Sequence, residues 1–187
     1  IFSQIVGGGI DSPQQQLLDR QLKLPDGFRW VRYARNLPGA RMLVLTETGD
    51  LLVSLSRKGQ IWRLIRDSNA DGMADGQELL LDGLDRPHGL ALNGRWLYVA
   101  ERGAVSRIAF DAVGGDVSGQ LQRLIDGLPR GGNHWSKSIG FGPDQMLYLS
   151  IGSTCNACIE KDERRASKMR FQPDGSDGEI IATGLRN

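Results

Sequence analysis

The sequence predicts an all-β fold, a β-propeller built from four-stranded blades. Three observations predict it. A strand–turn–strand hairpin occurs at 42–54, again at 89–100 and again at 138–150. A third apolar strand follows each hairpin, at 60–64, 104–110 and 167–171, with an arginine in the equivalent place: Arg63, Arg107 and Arg170. A fourth strand then closes each unit on a shared Gly-Leu ending, at 80–84, 124–128 and 181–185. A period of about 45–55 residues with four strands matches a propeller blade.

A single blade cannot bury both faces of its sheet, so blades stack around an axis, and propellers use roughly four to eight of them. The three repeats are therefore expected to be about half of a six-bladed ring and the N-terminal portion of something longer. The units run roughly over 25–84, 85–128 and 129–187, after a leader at 1–24 in which 13–20 starts a short helix or continues as flexible chain. With 25 glycines and 7 prolines among 187 residues, the turn content suits this reading better than a helical one.

Charge and hydropathy exclude two partner classes. The 23 basic and 22 acidic residues nearly balance and no long basic block occurs, which argues against a nucleic-acid footprint. No apolar run approaches the roughly 20 residues that span a bilayer.

The chemistry is expected in the links that carry the chain from the outer strand of one blade to the inner strand of the next, because these converge over the axial mouth. The links are 85–88, 129–134 and 186–187, and both histidines of the chain, His88 and His134, fall in them. His134 follows Gly131-Gly132, which permit unusual backbone angles and close approach of a ligand. It precedes Trp135, which can shield one side from water. An imidazole titrates near neutral pH and suits proton abstraction from a sugar hydroxyl. The competing reading, open for both histidines, is a hydrogen-bonded side chain that ties two blades together.

A second constellation lies in the first unit. Asp67, Asn69, Asp71, Met73 (through its carbonyl), Asp75 and Glu78 occupy the ligand positions of a twelve-residue calcium loop, with Gly72 at the sharp turn. The alternative is an Asp/Asn/Gly-rich turn that needs no metal. Cys155 and Cys158 flank Asn156 and Ala157 in an insertion of the third unit. They lack the partners of a zinc site or a thioredoxin-like motif, leaving a local disulfide or two thiols.

The stretch 133–148, which begins Asn133-His134-Trp135, resembles the segment with the catalytic histidine in the soluble pyrroloquinoline quinone (PQQ)-dependent glucose/sorbosone dehydrogenase family. The loop 152–158 is similar to the Cys-Asn-x-Cys loop of its sorbosone-dehydrogenase-like branch, and 183–187 to the family's Gly-x-Arg-Asn ending. The resemblance runs from about residue 24 onward. It implies a quinoprotein sugar dehydrogenase using PQQ and Ca2+, with a sugar as substrate and a cytochrome or quinone as electron acceptor, in the periplasm or secreted. It further implies His134 as general base, Arg186 as the stabiliser of charge developing on the quinone, and Asn187 as a cofactor contact. Asn133 and His88 are implied cofactor neighbours. Asn133 departs from the acidic residue of the glucose-dehydrogenase branch, and further cofactor clamps are expected beyond Asn187. Two rivals share the architecture: a calcium-dependent sugar lactonase, for which Asp85 is the only carboxylate in the links, and a non-catalytic binding module.

Overall fold

The computed structural model describes residues 20–185; residues 1–19 of the leader, with most of its short-helix expectation, and the expected cofactor contacts Arg186 and Asn187 lie outside them. Among the described residues twelve strands form three four-stranded antiparallel sheets. The first contains β1 (Ala40–Leu45), β2 (Leu51–Leu55), β3 (Gln60–Ile65) and β4 (Gly76–Leu81). The second contains β5 (Leu90–Asn93), β6 (Trp96–Ala100), β7 (Val105–Phe110) and β8 (Val117–Ile125). The third contains β9 (Lys137–Phe141), β10 (Leu147–Ile151), β11 (Ser167–Phe171) and β12 (Glu179–Ala182). Strand order follows chain order in every sheet, and β5 lies beside both β1 and β9, so the first strands form the inner edge. These are propeller blades in an array that does not close into a ring.

Strand alternation decides which faces are buried. In β6, Leu97 and Val99 point to the first sheet, joining Leu52, Ile61, Ile108 and Phe110 in one core. Tyr98 and Ala100 point the other way, into a core with Leu147, Leu149, Ile151 and Phe171 of the third sheet. The middle sheet is thus covered on both faces, and each fully buried leucine there contributes about 2 kcal/mol of transfer free energy. The outer face of the first sheet packs Val53, Leu55 and Leu64 under Tyr33, Ala34 and Leu37 of the preceding segment.

The fourth strands differ from expectation. They begin earlier, at Gly76, Val117 and Glu179, and end before the Gly-Leu pairs. Gly83, Gly127 and Gly184 take positive φ (74°, 65° and 69°), a turn that a side chain at that position would strain. The following leucine amides then bond back across the blade: Leu84 to Gly59, Leu128 to Gly103 and Leu185 to Ala166, at 3.0, 3.0 and 2.8 Å. The shared ending therefore marks the place where the chain leaves the sheet, not the sheet itself.

The recurring arginines serve the sheets. Arg63, Arg107 and Arg170 face Glu78, Gln122 and Glu179 across the outermost strand pair of each blade. Two ends result. The links between blades share one end with the second-to-third-strand loops; the first-to-second and third-to-fourth turns make up the other.

Candidate active site

The link end is strapped together by backbone bonds and by long cationic side chains. The first link is held by Ser54 and Ser56, whose hydroxyls donate to the His88 and Pro87 carbonyls, and by buried Glu101, which accepts the Asp85 amide at 2.8 Å. Arg86, in the left-handed region at φ 51°, lays its guanidinium 4.6 Å over the Trp135 ring. His88 meets the same ring edge-on at 5.9 Å. Its Nδ1 stands 3.0 Å from the Lys137 carbonyl, which can only accept, so Nδ1 carries the proton in this contact. Burial, against the hydrogen bond to that carbonyl and together with nearby Arg41 and Lys137, lowers the pKa of His88. A neutral, buried imidazole tying the link to β9 is what results.

Lys137, which sequence reasoning did not single out, is the hub. It is 1% exposed, and its ammonium donates to the Arg102, Pro129 and Trp135 carbonyls at 2.5, 2.8 and 3.2 Å. Burial first, then Arg165, Arg102 and Arg130, push it down to about 8. Asp85 partly offsets this positive field through ion pairs with Arg102 and Arg130. Arg102 Nε is buried without a hydrogen bond, 3.4 Å from Asp85 Oδ1.

His134 lies half-buried in the second link. Gly132 has φ 88°, and a Cβ there would stand 2.8 Å from Thr154 Cα and 3.1 Å from Arg165 Nη1, so what approaches this glycine is the chain's own loop. The Asn133 amide donates to the Thr154 carbonyl at 2.8 Å, locking the link against the loop between β10 and β11. From that loop Asn156 Oδ1 reaches His134 Nε2 at 2.9 Å. Cys155 and Cys158 form a disulfide around Asn156, and Glu160 caps the loop by accepting from the Thr154 amide and hydroxyl, both at 2.6 Å. An open cleft of about 540 Å³ runs beside it, between this loop and Thr183, Gly184 and Leu185. Asn156 and Lys137 carried no repeat signal; only the Cys-x-x-Cys spacing hinted at the first.

The residues predicted as calcium ligands lie at the opposite end. Asp67 accepts the Asp71 and Gly72 amides (3.2 and 2.7 Å), Asn69 that of Asp71 and Asp71 that of Met73. Asp75 accepts from Ser68. Glu78 is drawn into β4, where it pairs with Arg63 at 3.3 Å as Glu179 pairs with Arg170. No group of three or more His, Cys, Asp or Glu that could hold a metal ion occurs among the described residues. The loop's oxygens cap their own backbone, and its twelfth position belongs to the sheet.

No helix among the described residues is long and apolar enough to cross a membrane. The TrAA12-like family model matches residues 22–187. No match is found among curated proteins. Among solved structures, the calcium structure of Trichoderma reesei Carbohydrate-Active Enzymes Family AA12 superposes with a TM-score of 0.72 at 19% identity, over 87% of this chain and 45% of that one. The holo PQQ domain of Coprinopsis cinerea pyranose dehydrogenase gives 0.68 at 19%, over 80% and 39%. The PQQ-bound aldose sugar dehydrogenase of Streptomyces coelicolor gives 0.58 at 23%, over 79% and 48%. The chain thus spans less than half the length of these structures.

Proposed function

The chain belongs to the TrAA12-like family, and from that premise we propose that its link end forms part of a quinoprotein sugar dehydrogenase site in which His134 is the general base. The observation that carries this is the setting of His134: a half-buried imidazole, held from backbone and side chain, at the end where Arg102, Arg130, Lys137 and Arg165 gather. That field suits an anionic quinone. PQQ, when bound, supplies a hydride acceptor. Asn133, His134, Arg186 and Asn187 would hold it, with His88 contributing from the adjoining link.

In this reading His134 accepts the proton of the hydroxyl on the sugar carbon being oxidised, as the C–H bond on that carbon is lost. Arg186 stabilises the negative charge that develops opposite it. Trp135, fixed between Arg86 and His88, restricts water at the floor. Blades divided at 84/85 and 128/129 put both histidines in links. The substrate is a sugar, the electron acceptor a cytochrome or quinone, and the disulfide supports a periplasmic or secreted location. The Asp67 loop, the expected calcium site, lies at the other end and takes no direct part in this step. The lactonase alternative needs free link carboxylates, and Asp85 is engaged by Arg102 and Arg130.

The test is turnover of glucose and sorbosone with an artificial acceptor, in the PQQ-loaded protein. His134→Ala is expected to lower kcat by roughly 10²- to 10⁴-fold, the range of a lost general base. Undiminished turnover would remove His134 from the mechanism.

A further inference from the structure

We propose that Asn156 is the positioning residue for His134, presented by a four-residue ring that the Cys155–Cys158 disulfide closes. The proposal rests on the reading of His134 as base for its catalytic consequence, but not for the contact itself.

Three observations converge on the loop between β10 and β11. Its Thr154 carbonyl fixes the backbone of the histidine link through the Asn133 amide at 2.8 Å. Its Asn156 amide oxygen fixes the ring of His134 at 2.9 Å. The disulfide and the Glu160 cap on Thr154 leave the segment between them little freedom to withdraw Asn156. Thus the same short loop holds the link at two points, main chain and side chain.

The chemistry of the contact sets its role. A carbonyl oxygen only accepts, so Nε2 bears the proton and in the neutral ring the proton-accepting pair sits on Nδ1. A carboxylate in this place would also fix the ring, but its charge would hold the imidazolium and weaken the base at neutral pH. An amide orients without adding charge. Asn156 therefore selects the tautomer and ring plane without adding charge.

Asn156→Asp, which barely alters shape, separates these effects. Followed by NMR of the ring in the full chain, the titration midpoint of His134 is expected to rise by about one unit or more. The acidic limb of the activity profile of the PQQ-loaded protein should rise with it. Asn156→Ala is expected to lower kcat by roughly ten- to a hundredfold with little change in KM. The N156D response should vanish in a chain that also carries C155S and C158S. A midpoint unmoved by N156D would overturn the positioning role, and a response that persists without the disulfide would overturn the role of the ring. A moved midpoint with full turnover in His134→Ala would sink the base and leave the contact standing.

Discussion

The two ends of these sheets lean on different side chains to hold their loop backbones. At the turn end, Asp111, Asp144 and Asp174 each accept the amide two residues further on, from Val113, Met146 and Ser176. At the link end, Lys137 donates to three carbonyls, Arg164 to that of Gly127 and Arg165 to that of Gly152. An aspartate is short and caps what lies beside it in sequence. A lysine or arginine is long and gathers carbonyls from chain segments far apart, concentrating positive potential where they meet. The turn end is thus held largely by local aspartates, with Arg63 reaching the distant Gly114 carbonyl, while the link end adds the Lys137 hub to caps from Glu101 and Glu160.

That contrast can be broken most directly at Lys137. Lys137→Ala leaves three loop carbonyls without their donor and is expected to lower unfolding free energy by about 3 kcal/mol, read by denaturant unfolding. A loss near zero would mean that water replaces the ammonium and that the hub is not structural. Arg63 is the turn end's nearest equivalent. Its side chain is mostly enclosed, bonded to Asp50 at 2.6 Å and to the Gly114 carbonyl at 2.6 Å, with Asp50 itself buried. Arg63→Ala should cost about 2 kcal/mol in the same measurement, because it strands the Asp50 carboxylate. A larger loss than that of Lys137→Ala would reverse the ranking of the two ends.

A pH series sharpens the comparison. The folded chain releases the Lys137 proton at about 8 and the unfolded chain near 10.5, so between these values the unfolded state binds more protons. Stability contributed at this site therefore rises with pH across that window and is constant below it. Relative to Lys137→Met, the wild type should gain stability from pH 8 upward, and a flat difference would contradict the burial penalty. Arg170→Ala sits at the small end. Its exposed pairing with Glu179 and Asp144 is solvent-screened, and its unfolding midpoint should not move measurably.

Legibility in the sequence followed the same divide. The three hairpins and the arginine positions on β3, β7 and β11 were readable, because each depends on neighbours along the strand. The fourth strands were set too late, since their Gly-Leu ending looks like strand but is a turn whose partner, Gly59 in the first unit, lies across the blade. The Asp/Asn pattern at Asp67 was visible as spacing; which of its residues the sheet would also engage was not. Glu78 answers to Arg63, a residue of another strand.

The sequence by itself determined the blade: alternating apolar residues, turn glycines and a repeated arginine encode a four-strand meander with contacts short in sequence. Only the tertiary structure decided the site. Asn156 meets His134 across 22 residues, and Lys137 takes a carbonyl from 35 residues away, because loops of neighbouring strands and blades are folded onto the same end. His134 and the Cys-Asn-Ala-Cys loop were each visible in the sequence. That one holds the other is a fact of packing, and no local pattern records it.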